Sequence, residues 1–218
     1  NTGSVGVAGA DIDAPEAWDH TQGSDTVIIA IIDEGVDTTH PDLQNKIVTP
    51  YDAVDGDNDQ TPISWDGHGT ACAGIAAAVT ANGLGVAGVA WQAKIMPVRI
   101  ALTNCPDCDW ITDVDTIEDG LRTAVDRGAH VLSNSWGGGL PSNAITSAID
   151  YAISKDRVVV FAAGNDSGRG RNQPQADGYR LYRSVSHPLA VRGTGQVSDR
   201  RHHAMPDEAQ RRRQDDAV

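Results

Sequence analysis

Four stretches of the chain are continuously apolar and rich in β-branched residues, and they predict the strands of a sheet. Strands that are apolar on both faces belong in the middle of a covered, parallel sheet. The four stretches are TVIIAIID (26–33), AKIMPVRI (93–100), AHVLSNSW (129–136) and RVVVFAAGN (157–165).

Helical patterns lie between these strands. HGTACAGIAAAVTAN is rich in alanine, and DTIEDGLRTAVDRGA places apolar residues four apart on one face. SNAITSAIDYAISKD repeats that spacing behind a cap at Ser142 or Asn143. Strands that alternate with helices predict an α/β fold with a doubly wound, mostly parallel central sheet and helices on both faces. Functional side chains then collect at the carboxyl ends of the strands.

The regular pattern stops near residue 166, and the charge changes sign there. Residues 1–166 carry 24 acidic and 7 basic residues, whereas residues 167–218 carry 6 acidic residues and 10 arginines, without lysine. We therefore expect a folded domain over 1–166 and a diverged, poorly ordered or partly packed tail over 167–218. The C-terminal part of the fold is then incomplete.

Composition excludes two classes of partner. The net charge of −13 disfavours nucleic acid, because a surface that follows phosphates must be basic. No apolar run approaches the roughly 18 residues that cross a bilayer. The first 18 residues lack the basic and apolar regions of a signal peptide. We expect a monomer.

The spacing of the three cysteines does not by itself indicate a catalytic or metal-binding role. Cys105 and Cys108 form one C-x-x-C pair, and without a second pair a four-thiolate zinc site is unsupported. A local disulfide or two free thiols both fit that pair, and a redox or metal role is the alternative. Cys72 lies among alanine and glycine, which is typical of a small buried residue.

Three polar residues follow buried strands or begin a helix, where a catalytic group would lie. Asp33 ends an apolar strand, and a carboxylate there needs a partner. His68 is that partner, because a buried carboxylate that accepts the imidazole N–H fixes the tautomer of a general base. The glycines on either side of His68 are expected to keep its ring accessible. Asn165 also follows a strand, and its amide can donate to an oxyanion.

These residues lie in blocks that resemble the subtilisin-like serine proteases (subtilases, peptidase S8). The blocks are VIIAIIDEGVDTTHPDL, DGHGTACAGI, VLSNSWGG and VVVFAAGND, and the resemblance covers about residues 11–168. It implies that Asp33 orients the base, His68 is the general base and acid, and Asn165 lines the oxyanion hole. Ser135, Trp136 and Gly137 resemble the segment whose backbone pairs with an extended peptide substrate. The resemblance also implies polypeptide substrates and a secreted enzyme.

The nucleophile of that family is missing. Its serine lies in a G-T-S-M-A block at the start of a buried helix, and the chain has only Gly193-Thr194-Gly195, with no helical pattern in the sequence after it. Without a serine, the base has nothing to activate. Three explanations stay open: a fragment of a longer protease, a reading-frame shift near residue 168, and a non-catalytic relative that binds peptides.

Two loops predict structural calcium. Asp55, Asp57 and Asp59 stand at alternate positions before His68, and hard oxygen ligands at such spacing suit Ca²⁺. This loop resembles a calcium loop of some subtilases, although it is longer by about one residue. Asp42 and the segment TANGLGV resemble a second family site, which Asn82 would join by its side chain and residues 84 and 86 by their carbonyls. A solvated acidic loop is the alternative at both places.

Overall fold

The computed structural model describes residues 11–106, 108–138 and 141–162. Asn165 and the predicted tail, 167–218, lie outside the described residues. Within these described ranges, nine elements follow one another: α1 (Ala14–Trp18), β1 (Ile28–Asp33), β2 (Tyr51–Asp52), α2 (His68–Ala77), β3 (Lys94–Arg99), α3 (Val114–Asp126), β4 (Val131–Asn134), α4 (Asn143–Ser154) and β5 (Val158–Phe161).

The five strands form a parallel sheet in the order β2-β3-β1-β4-β5. This confirms the predicted α/β architecture, and each of the four predicted strands is present. The short strand β2 and the helix α1 were not predicted. β1 lies between β3 and β4. After β1 the chain first forms β2 and β3 on one side of it, and then forms β4 and β5 on the other side. In such sheets, ligands bind outside the carboxyl ends of the strands at this switch point.

Both faces of the sheet are covered by apolar side chains. One layer holds Ile32, Leu121 and Ile149 and lies under α3 and α4. The opposite layer holds Ile31, Ala73 and Ala77 and lies under α2. The alternation of Ile31 and Ile32 along β1 follows from the period of two in a strand, which sends successive side chains to opposite faces. A strand buried on both sides therefore has to be apolar throughout.

Side-chain caps fix where the two long helices begin. Asp113 accepts a hydrogen bond from the backbone of Thr116 at 2.8 Å, at the start of α3. Ser142 accepts one from Ile145 at 3.4 Å, at the start of α4, so Ser142 rather than Asn143 is the cap. Within the described ranges, the helices are too short and too polar to cross a membrane.

Candidate active site

Asp33 is the last residue of β1, at the centre of the sheet's carboxyl edge. Its side chain is fully buried. The backbone N–H of Glu34 donates to its Oδ1 at 3.0 Å. Burial raises the pKa of Asp33 above its ordinary value of 3.8, and hydrogen bonds from His68 and Glu34 oppose that shift. The buried carboxylate therefore depends on its hydrogen-bond partners to remain ionised.

His68 is the first residue of α2, and its ring faces Asp33. The imidazole Nδ1 lies 2.9 Å from Oδ1 and 3.0 Å from Oδ2 of Asp33, which is the contact predicted from the sequence. The side chain of His68 remains 49% exposed. With Nδ1 held by the carboxylate, Nε2 is the nitrogen left for proton exchange with another group.

Gly69 explains how the helix comes close enough for this contact. A Cβ atom at Gly69 would lie 2.2 Å from the carbonyl oxygen of Gly35 and 3.0 Å from Cβ of Asp33. Gly69 therefore lets the first turn of α2 pack directly against the end of β1. We expected both flanking glycines to keep the ring accessible, but Gly69 serves this close approach instead. Gly67 has open space around its Cα.

A cavity of about 650 Å³ opens beside His68. The predicted peptide-binding segment, Ser135, Trp136 and Gly137, lines one side of it. The indole N–H of Trp136 donates to the backbone carbonyl of Ile32 at 3.0 Å, which fixes this segment to the central strand. The structure thus brings the acid, the base and the segment together around one cleft, while Asn165 lies outside the described residues.

Comparison with known proteins identifies the family. The sequence profile of the subtilase family (Peptidase_S8) matches residues 24–202. The chain belongs to the subtilase family. Thermitase of Thermoactinomyces vulgaris is 46% identical over 163 residues, which are 75% of this chain and 56% of thermitase.

Two further subtilases add to this likeness. The calcium-dependent protease of Nostoc sp. is 38% identical over 196 residues, covering 78% of this chain and 27% of that protease. Among solved structures, the crystal structure of fervidolysin from Fervidobacterium pennivorans, a keratinolytic enzyme related to subtilisin, superposes with a TM-score of 0.59 at 36% identity. That superposition covers 70% of this chain and 23% of fervidolysin. The chain thus spans about half of thermitase and a smaller share of the other two.

Two residues of this subtilase site were missed by sequence reasoning. Glu34 is 4% exposed, and its carboxylate contacts both the backbone of His68 and the indole of Trp110. Cys72, expected to be buried, is only half-buried: it packs against the core layer under α2 and also lies beside His68. Its position four residues after His68 on a helix was the available signal, since residues four apart share a helix face.

The thiol of Cys72 does not complete a metal site with its neighbours. Atoms of Asp33, His68 and Cys72 lie within 4.8 Å of one another. However, Nδ1 of His68 and the carboxylate of Asp33 are already hydrogen-bonded to each other, and Sγ lies 3.9 Å from both ring nitrogens. Burial raises the pKa of the Cys72 thiol. It is therefore a neutral neighbour of the imidazole.

Cys105 and Cys108 form a disulfide. Of the alternatives that the sequence left open for this pair, the local disulfide is the one present. It closes part of the loop between β3 and α3, which carries Trp110.

The predicted calcium ligands fall into two groups. Asp42 is buried, and Asn82 Nδ2 and the backbone N–H of Val86 both donate to its carboxylate. Asp57 and Asp59 are exposed, and each accepts backbone N–H groups from its own loop. In the described part of the chain, these acids do not belong to any set of three His, Cys, Asp or Glu ligand atoms within 4.8 Å.

Asp55 has a different partner from the one predicted. Its carboxylate lies 2.6 Å from Nη2 of Arg99, and the same guanidinium binds the buried carboxylate of Asp52. An arginine therefore neutralises this end of the acidic loop.

Proposed function

We propose that this chain carries the acid and base of a subtilisin-type serine endopeptidase. The observation that carries the proposal is the contact of His68 Nδ1 with both oxygens of buried Asp33, at 2.9 and 3.0 Å. Membership of the subtilase family and the cleft beside His68 support it. The reaction is peptide-bond hydrolysis by acyl transfer, with polypeptides as substrates.

Each residue has one role in this reaction. His68 takes the proton of an attacking serine hydroxyl on Nε2 and later returns it to the leaving amine. Asp33 holds the tautomer in which Nδ1 carries the hydrogen, and it stabilises the imidazolium that forms. Asn165 donates its amide N–H to the oxyanion of the tetrahedral intermediate.

The substrate lies along Ser135, Trp136 and Gly137 in an extended conformation. Backbone groups of this segment pair with the peptide, as in other complexes that add a strand. The cavity behind them has apolar walls that include Ile117 and Ile145. An apolar side chain of the substrate is therefore the one that this cavity accepts best.

The nucleophile is not recognisable in the 218 residues, so we expect little or no peptidase activity from the chain alone. The test is to assay the purified chain on an unstructured protein, with and without a serine-directed phosphonate. Turnover that the phosphonate blocks would show that a serine of this chain is the nucleophile. Reading the nucleotide sequence past the codon for residue 166 in all three frames separates a frame shift from a pseudoenzyme.

Peptide binding without catalysis is the second candidate function. The cleft and the segment 135–137 are formed in the described part of the chain, although no nucleophile block is present. Tight binding of an extended peptide by a chain that melts cooperatively would favour this function. Absence of binding by such a folded chain would exclude it.

Calcium would be held at two places. Asp42 and Asn82 would form one site, and the loop with Asp57 and Asp59 would form the other. The fit rests on position: Asp42 and Asn82, forty residues apart, meet at one place, where the Asp42 carboxylate is a hard oxygen ligand and the Asn82 amide, which now donates Nδ2 to it, would have to turn its oxygen to the ion. Asp57 and Asp59 are not brought together with a distant residue in this way. Bound calcium would neutralise acid groups and tie the loops to the domain.

A calcium titration tests the better-formed site. We expect Ca²⁺ to raise the melting temperature of the wild-type chain by more than that of Asp42→Asn, because a ligand that binds only the folded state stabilises it. Equal shifts in both chains would place the ion elsewhere, and no shift in either would remove calcium from the proposal.

The remaining assignments concern the setting of the enzyme. We infer a secreted, monomeric protein whose catalytic domain spans 1–166, with the tail at 167–218. The Cys105–Cys108 disulfide supports secretion, because disulfides persist in oxidising compartments.

A further inference from the structure

Glu34 is a buried acid with no role in the proposed reaction. It follows Asp33 directly and is 4% exposed. Buried carboxylates are usually paired with a cation. Within the described ranges, Glu34 forms no ion pair with lysine or arginine, and two N–H groups satisfy it instead.

The first donor is the backbone of His68. Its N–H lies 2.6 Å from Oε1 of Glu34. His68 opens α2, and the preceding residue, Gly67, has no side chain that could cap the helix. The carboxylate of Glu34, the residue that follows β1, therefore caps the start of α2. Negative charge at this end of a helix is also favoured by the helix dipole. It thereby fixes the backbone that carries the base.

The second donor is the indole of Trp110. Nε1 lies 2.8 Å from Oε2 of Glu34. Trp110 belongs to the loop between β3 and α3, whose base is closed by the antiparallel bridge of Leu102 and Ile111. The half-buried indole meets the ring of His68 edge to face, at 6.1 Å between centroids, and it lines the cleft.

The carboxylate of Glu34 thus connects the backbone of His68 with Trp110, which lines the substrate cleft. We propose that Glu34 is a positioning residue, and that Trp110, which it holds, is the specificity-determining wall beside His68. The wall presents an aromatic surface to the substrate side chain nearest the base, and it favours flat or apolar side chains there. This inference rests on the proposed peptide cleft.

The variants Glu34→Gln and Trp110→Phe test it in the 218-residue chain. Glutamine keeps the size of Glu34 but has one acceptor oxygen in place of two, so it cannot satisfy both donors. Phenylalanine keeps an aromatic wall but loses the N–H. Glu118→Gln is the matched control, because it makes the same change in a partly exposed acid on α3.

The first readout is the indole N–H proton resonance of Trp110, assigned by its loss in Trp110→Phe. We expect a downfield position in the wild type and an upfield shift of about 0.5 ppm or more in Glu34→Gln, because a charge-assisted hydrogen bond is weakened. Glu118→Gln should leave the resonance in place. An unchanged resonance in Glu34→Gln would overturn the proposal without any reference to peptide binding.

The second readout is the affinity for an extended peptide with apolar side chains. We expect the dissociation constant to rise roughly tenfold in each single variant, and little further in the double variant, because the two residues act as one unit. Glu34 would be merely structural if the losses of affinity in the two single variants added up in the double variant. The same would hold if each loss of affinity were explained by the fraction of the variant that is unfolded. If the wild type binds no peptide, the proposed function fails, and the resonance still decides whether Glu34 positions Trp110.

If Glu34→Gln does not fold, Trp110→Phe provides the decisive comparison. It alters the wall of the cleft rather than the helix cap. A folded Trp110→Phe chain with wild-type affinity would contradict the proposal that the hydrogen bond from residue 110 to Glu34 positions this wall.

Discussion

Two regions of the molecule bury carboxylates at the same edge of the sheet and satisfy them in different ways. Asp52, at the end of β2, is bound by the guanidinium of Arg99, a cation at every physiological pH. Asp33, at the end of β1, is bound by the imidazole of His68, a ring that can both accept and donate a proton. The first pair is fixed in charge and serves the fold. The second can gain and lose a proton, as a catalytic pair must.

The partners differ in exposure as well as in charge. The Arg99 side chain is 8% exposed, whereas that of His68 is 49% exposed. Breaking the buried pair leaves a charge without water, which is strongly destabilising. The exposed imidazole can be solvated when its partner is lost. We therefore expect the same chemical change, Asp to Asn, to have opposite consequences in the two regions.

The largest effect is expected for Asp52→Asn. It leaves the buried guanidinium with Asp55 as its remaining acid, whose side chain is 64% exposed. We expect the free energy of unfolding in urea to fall by about 3–5 kcal/mol. Glu118→Gln, which removes a partly exposed pair with Arg122, should lower it by about 0.5 kcal/mol or less. Equal losses would mean that the Arg99 cluster is not a structural centre.

An intermediate effect is expected when the base is separated from its acid. Gly69→Ala places a methyl group against the carbonyl of Gly35, and such overpacking costs about 1–3 kcal/mol. Peptide binding in the cleft should weaken, because α2 must move away from β1. Gly74→Ala is the matched control on the same helix, where the new Cβ would have ordinary contact at 3.6 Å with Val86.

That control should be neutral or slightly stabilising, since alanine favours a helix over glycine. If both alanine variants behave alike in urea unfolding, the close approach of α2 to β1 is not what brings His68 to Asp33. The measured difference between them reports mainly the contact, because both changes replace a glycine of α2 by alanine.

The sequence predicted the region around Asp33 better than the region around Arg99. Asp33 follows an apolar strand, and carboxyl ends of parallel strands meet at one edge, so contact with His68 followed from topology. The pairing of Asp52 with Arg99 depends on the register of β2, a strand of two residues that has no periodic signal. The sequence of the acidic loop therefore suggested a calcium site, whereas in the structure Arg99 binds its first acids, Asp52 and Asp55.

The partner of Glu34 was also out of reach of sequence reasoning. Trp110 lies 76 residues downstream, in a loop without a hydrophobic period. Nothing local indicates that this loop folds back over the start of α2. Contacts between a loop and a strand end are set by the whole chain, whereas the strands and helices are set by their own patterns.

The smallest effect on stability is expected for Asp33→Asn, and its sign should depend on pH. Burial raises the pKa of Asp33 in the folded state above that in the unfolded state. The stability that the protonated acid contributes is therefore fully present below the unfolded pKa and is lost as pH rises through the folded pKa. Asparagine does not titrate. The variant should thus gain on the wild type as the pH rises from about 3.8, the ordinary pKa of the acid, toward neutrality, staying within about 1 kcal/mol of it.

Urea unfolding of both chains at several pH values in that range measures the difference. Glu34 and Asp66 also face this site. Burial raises the pKa of Glu34, and the charges of Asp66 and Asp33 raise it further, so Glu34 and Asp66 are kept unchanged in the two chains that are compared. A wild type that gains on Asp33→Asn as pH rises would mean that hydrogen bonds from His68 and Glu34 outweigh burial. Asp33 would then stabilise the fold as Asp52 does, and the contrast between the two regions would rest on exposure alone.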